Sequence, residues 1–155
     1  MKFRSTICAS LLALVSFASL AAPAAVESFD KSTWPALLRS EAPTIVMFTS
    51  VSCTHCPGAI ARIAAKRKAV ASRTRLIVVS MDADDEDALR ADPHYAPADR
   101  LFMFRGSSPA LQFSVNPEWR GMTPYVAYLS GNNQVKFVLG EPKDAELAGW
   151  LKSSK

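Results

Sequence analysis

The chain has no second Cys-x-x-Cys, only three cysteines in all, and just two histidines among its 155 residues. A closed zinc site built by one chain is therefore hard to complete. No apolar run reaches the roughly 20 residues that span a bilayer. The stretch from Ile7 to Leu20 comes nearest, and Ser10, Ser16 and Ser19 dilute it. There is no large excess of charge of either sign. The net charge is +4, and +2 once Lys2 and Arg4 are set aside, which gives no argument for nucleic acid as a partner. Internal repeats and low-complexity tracts are absent. The acidic cluster Asp82, Asp84, Asp85, Glu86 and Asp87 lacks the glycine and spacing of a calcium loop. It fits instead the negatively charged start of a helix, with Leu89 as its first buried residue.

What is present begins with an export pattern. Lys2 and Arg4 form a basic start, the apolar stretch follows, and Ser19-Leu20-Ala21 supplies small residues where a signal peptidase reads. Residues 1–22 are expected to be a cleaved signal peptide. Cys8 stands at the start of the apolar stretch and not at its end, so it does not mark a lipoprotein. Residues 23–155 are then one domain, large enough for a hydrophobic core. The mature protein would be periplasmic or secreted and would own two thiols.

The mature region alternates between two kinds of pattern. Phe29 to Arg39 reads as a helix with Phe29, Trp34, Leu37 and Leu38 apolar and Pro35 tolerated in its first turn. Ile45-Val46-Met47-Phe48 and Leu76-Ile77-Val78-Val79 are continuous apolar runs, as expected of strands buried on both faces. Gly58 to Val70 between them is helical by pattern, with a basic face of Arg62, Lys66, Arg67 and Lys68. That makes a βαβ unit. Leu101 to Phe104 is either a short strand or a core helix turn. Ser107-Ser108-Pro109 opens a short helix. Tyr125–Ser130 and Val135–Leu139 flank Gly131-Asn132-Asn133-Gln134 as a hairpin. Asp144 to Leu151 closes the chain as an amphipathic helix. The expected fold class is α/β, a central mixed sheet flanked by helices on both faces.

Cys53-Thr54-His55-Cys56 stands where the first apolar run gives way to a helix. Two residues of spacing let the sulfurs meet in a small ring. A helix N-terminus, with its unpaired N–H groups and positive dipole end, stabilises a thiolate on the first cysteine. The second lies one turn further in and can resolve a mixed disulfide. Cys53 is the expected nucleophile and Cys56 the resolving thiol, with His55 and Thr54 tuning the thiolate and the Thr54 hydroxyl able to cap the helix. Two other roles stay open for the pair. One is a structural staple, although a loop this small restricts the unfolded chain least. The other is a copper or zinc site completed by His55 or His94.

These residues resemble the thioredoxin-like superfamily over most of the region from Trp34 to Leu151, and within it the exported TlpA-like group. The resemblance rests on the buried strand, Cys53-Thr54-His55-Cys56, the helix after it, and Met122-Thr123-Pro124 entering the last hairpin. It implies a thioredoxin-like fold with an insert before the strand that follows a cis-proline, Pro124. It implies that Thr123 and Pro124 hold a client backbone beside Cys53. The implied activity is that of an enzyme, a thiol–disulfide oxidoreductase acting on protein thiols and disulfides, with no organic cofactor, no resident metal, and recycling by another redox protein, a membrane-bound one among the candidates. The runner-up is a copper- or zinc-binding thioredoxin-like module, a metallochaperone or copper-site reductant. The copper-handling Sco proteins are less similar, because they separate their cysteines by three residues. Two departures are visible: Ser52 precedes Cys53 where thioredoxin has tryptophan, and Met47 occupies the strand position at which thioredoxin buries an aspartate.

Overall fold

The computed structural model describes residue 23, residues 25–131 and residues 133–154. The expected signal peptide, with Cys8, lies outside the described residues, as does Asn132 of the hairpin turn. Among the described residues no helix is long and apolar enough to cross a membrane.

Among the described residues six strands form one mixed sheet. They are β1 (Val26–Phe29), β2 (Thr44–Thr49), β3 (Arg75–Ser80), β4 (Arg100–Phe104), β5 (Tyr125–Leu129) and β6 (Val135–Leu139), in the order β1-β4-β3-β2-β5-β6. The pairs β1–β4, β4–β3 and β3–β2 are parallel, while β2–β5 and β5–β6 are antiparallel. The helices are α1 (Thr33–Leu38), α2 (Cys56–Ala69), α3 (Glu86–Ala91), α4 (Ser108–Val115) and α5 (Asp144–Ser153), with a 3₁₀ turn at Pro93–Tyr95.

Central strands explain the continuous apolar runs. All six residues of β2 are buried, because the period-2 alternation of a strand sends them to two different cores. Ile45 and Met47 pack with Ile60 and Ile63 of α2 and with Leu147 and Leu151 of α5. Val46 and Phe48 pack on the other face with Trp34 and Leu37 of α1 and Leu111 and Val115 of α4. Helices thus cover both faces, as an apolar parallel sheet requires.

The structure departs from the sequence reading at the N-terminus. Val26–Phe29 is a strand, not the start of a helix, and Phe29 belongs to it. The helix begins only at Thr33, after Asp30 accepts hydrogen bonds from the Ser32 N–H and hydroxyl at 2.8 and 2.6 Å. An edge strand of four residues carries too little alternation to be read alone. Its place is set by β4, whose Arg100 forms an ion pair with Glu27. Leu101 to Phe104 likewise resolves as strand, with all four residues buried between β1 and β3.

The charged segments also find partners. Asp85 caps α3, accepting from the N–H groups of Asp87 and Ala88 at 2.9 and 3.0 Å, and Leu89 is buried beneath it. The basic face of α2 is not simply solvated. Arg62 pairs with Glu141 at 2.9 Å, Lys66 with Asp144 at 2.9 Å, and Arg67 with Asp99 at 2.6 Å.

Two details of the hairpin region yield predictions. Gly131 has φ +82°, and a Cβ there would lie 2.2 Å from the Glu41 carbonyl oxygen. Gly131→Ala therefore destabilises by about 2 kcal/mol or more, from left-handed backbone strain and a backbone clash together; a thermal melt measures it. Tyr128 is fully buried under Trp150, ring centroids 4.9 Å apart, and its hydroxyl has no hydrogen-bond partner among the described residues. Burial, and then the charge of Glu146, pushes its phenol pKa up. A raised folded pKa gives stability that is complete below the ordinary value of about 10 and is lost as the pH climbs from there toward the folded value. Tyr128→Phe removes an unpaired buried hydroxyl, so it raises stability at neutral pH by about 1–2 kcal/mol and flattens the alkaline loss. Urea unfolding at neutral and alkaline pH checks both.

Candidate active site

β2 delivers the chain to the site. Beyond Thr49 the backbone turns twice: the Cys53 N–H donates to the Ser50 carbonyl at 3.0 Å, and the Cys56 N–H to the Cys53 carbonyl at 3.2 Å. The loop is anchored from the neighbouring β3–α3 connection, where Asp82 Oδ1 accepts from the Val51 N–H at 2.9 Å. Helix α2 then starts at Cys56, two residues earlier than its apolar pattern predicts. Pro57 sits in its first turn, where a missing N–H costs little.

Cys53 and Cys56 are joined by a disulfide, their Cα atoms 5.5 Å apart. The two are unequal. Cys56 is 1 % exposed and belongs to the core cluster beneath the sheet, whereas Cys53 is half-buried at the surface. Cys53 itself lies ahead of the helix, and its bond to Cys56 holds its sulfur at the first turn of α2.

The helix cap differs from expectation. His55 occupies the N-cap position and, among the described residues, no side-chain hydrogen bond caps the helix, so the Thr54 hydroxyl does not play that role; Thr54 is exposed. The His55 side chain is 77 % exposed, with Nδ1 3.5 Å from Glu141 Oε1, and Arg62 holds the other carboxylate oxygen at 2.9 Å. His55 thus shares a carboxylate with Arg62.

The Thr123–Pro124 peptide bond is cis. In the β2–β5 register Phe48 opposes Tyr125, so Pro124 stands one residue further on, at the sheet end from which β2 runs toward Cys53. The Pro124 carbonyl accepts from the Gly140 N–H at 2.8 Å, and the Met122 carbonyl accepts from Trp119 Nε1 at 2.9 Å. Between them, the backbone N–H and C=O of Thr123 make no hydrogen bond among the described residues. Met122 and Val51 are exposed apolar side chains of the same two loops.

A cleft of about 280 Å³ opens beside the disulfide. Both cysteines line it, together with Asp92, His94 and Tyr95 around the 3₁₀ turn. His94 Nδ1 is 2.9 Å from Asp92 Oδ1, which also accepts the His94 N–H at 2.9 Å. Burial raises the pKa of the Tyr95 phenol; a hydrogen bond with Thr49 works against this, and the charges of Asp92 and Asp82 add to it. Sequence reasoning counted His94 only as a possible metal ligand and missed Asp92 and Tyr95. They sit in a proline-punctuated stretch whose route past the cysteines no periodicity reveals. Among the described residues no group of three or more His, Cys, Asp or Glu side chains is gathered as a metal site.

The strand order, the cis-proline beside the end of β2 and the disulfide at the start of α2 are one recognisable arrangement. The chain has the thioredoxin-like fold. Among solved structures it is similar to a thiol:disulfide interchange protein of the thioredoxin family from Chlorobium tepidum, at 18% identity and TM-score 0.58, covering 77% of this chain and 83% of that one. It is similar to a secreted Mycobacterium tuberculosis disulfide oxidoreductase homologous to Escherichia coli DsbE, at 14% identity and TM-score 0.55, covering 74% and 84%. StoA from Bacillus subtilis is similar at 13% identity and TM-score 0.53, covering 72% and 83%. No protein-family model matches the sequence, and no curated protein matches it significantly. Within this thioredoxin-like frame the disulfide sits where strand, helix and cis-proline loop converge.

Proposed function

We propose that the protein is an exported thiol–disulfide oxidoreductase that acts on protein thiols and disulfides through Cys53 and Cys56. One observation carries the reading: a half-buried and a buried cysteine share a disulfide at the first turn of α2, on an open cleft. That inequality divides the labour. Cys53 meets a client sulfur, and Cys56 waits beneath to displace it. His55, the N-cap residue between the two cysteines, favours the thiolate, and Thr54 presents a small polar surface. The unpaired backbone of Thr123, next to Pro124, fits a client segment in extended form. Similarity to a secreted oxidoreductase and to a thiol:disulfide interchange protein supports the activity. The basic-then-apolar start supports export after removal of residues 1–22, leaving one domain over 23–155. The pair is its own redox group and needs no organic cofactor. A second redox protein, held at the membrane, recycles it.

The test uses protein recovered from the envelope of an expressing bacterium. Its mass corresponds to a chain starting after residue 22, and it accelerates reduction of insulin by dithiothreitol. Insulin reduction at the background rate would overturn the activity, and an intact Met1 would overturn the cleavage.

A further inference from the structure

Cys56 must lose a proton before it can attack, and its surroundings oppose that. It is 1 % exposed and belongs to the apolar core cluster that includes Met47, Ala59, Ile60 and Ile63. Apolar burial disfavours a thiolate. A base within reach of the cleft is therefore needed. Apart from the cysteines, the titratable side chains lining that cleft are Asp92, His94 and Tyr95. Tyr95 is held in its protonated form by burial and by the charges of Asp92 and Asp82. Asp92 is engaged with His94, at 2.9 Å to Nδ1 and 2.9 Å to the backbone nitrogen. A carboxylate at Nδ1 places the proton on that nitrogen and leaves Nε2 with a lone pair. An imidazole in that tautomer is the cleft's remaining group with a free lone pair to take a proton and give it back.

We propose that His94, oriented by Asp92, accepts the proton of Cys56 in the resolving step. The proposal rests on the exchange activity put forward above and adds a residue to it. The step begins with a client sulfur bonded to Cys53 Sγ. His94 Nε2 takes the proton from the Cys56 thiol, directly or through one water. The Cys56 thiolate attacks Cys53 Sγ; the Cys56–Cys53 bond forms and the bond from Cys53 to the client breaks. The electron pair of the broken bond leaves on the client sulfur, which takes the proton from the imidazolium. A client disulfide is thereby reduced by two electrons as the cysteine pair is oxidised. Oxidation of a client dithiol runs the same proton in the opposite direction.

Dithiobis-nitrobenzoate reads both steps in one trace. Mixed with the reduced protein, it releases one coloured thiolate when Cys53 attacks and a second when Cys56 resolves. That thiolate leaves without needing a proton, which isolates deprotonation of Cys56. In buffer free of imidazole, His94→Ala slows the second release by about 10- to 100-fold and leaves the first within about twofold. Added imidazole restores the second release, since a side chain 58 % exposed leaves room for it. His94→Gln, which keeps a hydrogen bond to Asp92 but offers no comparable base, behaves as His94→Ala does without imidazole. A second release unchanged in both variants, both releases slowed alike, or slowing that imidazole does not relieve would each overturn the assignment. Wild-type protein releasing neither thiolate would instead sink the exchange activity on which it rests.

Discussion

On the proposed function, Cys53→Ser loses disulfide exchange by about 10³-fold or more, because the residue assigned the covalent intermediate is gone. Cys56→Ser fails differently. The half-buried Cys53 sulfur still attacks, but no thiol stands beneath it to displace the client, so a mixed disulfide accumulates and is visible as a mass adduct on non-reducing analysis. The asymmetry of burial makes the two outcomes unequal; swapping the roles would require the 1 % exposed Cys56 to meet the client. Neither result can be blamed on unfolding. The disulfide closes a ring of only four residues, worth on the order of 2 kcal/mol in the chain-entropy account. The apolar cores above and below the sheet hold the fold without it. Equal activity in wild type and Cys53→Ser, or an adduct on Cys56 in preference to Cys53, would contradict the assignment.

The largest stability effect falls on Phe48. Its ring lies 4.9 Å from Trp119, 5.8 Å from Phe29, 6.1 Å from Trp34 and 6.4 Å from Tyr125. Trp119 and Tyr125 in turn stack at 4.5 Å. This aromatic group ties α1, β1, β2, β5 and the loop carrying Trp119 into one face of the core. Phe48→Ala opens a cavity there and costs about 3–5 kcal/mol. In a domain of this size that lowers Tm by roughly 10–20 °C. Exchange activity declines as well, because Phe48 is five residues before Cys53 on the strand that aims the loop, and Trp119 leads into Thr123–Pro124. Thermal melts followed by the insulin assay below the transition measure the two effects separately. A shift of only a few degrees would mean the cluster is loosely packed.

Much of this architecture is legible in the residues themselves. Ile45–Phe48 and Leu76–Val79 announce central strands because a strand covered on both faces needs no polar alternation. Asp85 to Leu89 reads correctly because helix capping is a local matter, settled within four residues. The hairpin of β5 and β6 follows from its turn residues. Edge elements are harder. Val26–Phe29 becomes strand only because β4 lies alongside it, and that pairing spans more than seventy residues of chain. The basic face of α2 looks solvated until Glu141 and Asp144, distant in sequence, arrive across from it.

The site divides along the same line. From sequence alone came the Cys-x-x-Cys at a strand-to-helix turn, the buried apolar strands and the proline that enters the final hairpin, since each is written in neighbouring residues whose chemistry is local. Tertiary structure alone decided which sulfur is buried, that His55 turns to Glu141, that the Thr123 backbone is left unpaired among the described residues, and that Asp92 and His94 line the same cleft as the disulfide. Those outcomes depend on how the sheet and the 3₁₀ turn bring distant segments together, and long-range packing leaves no periodic trace along a chain.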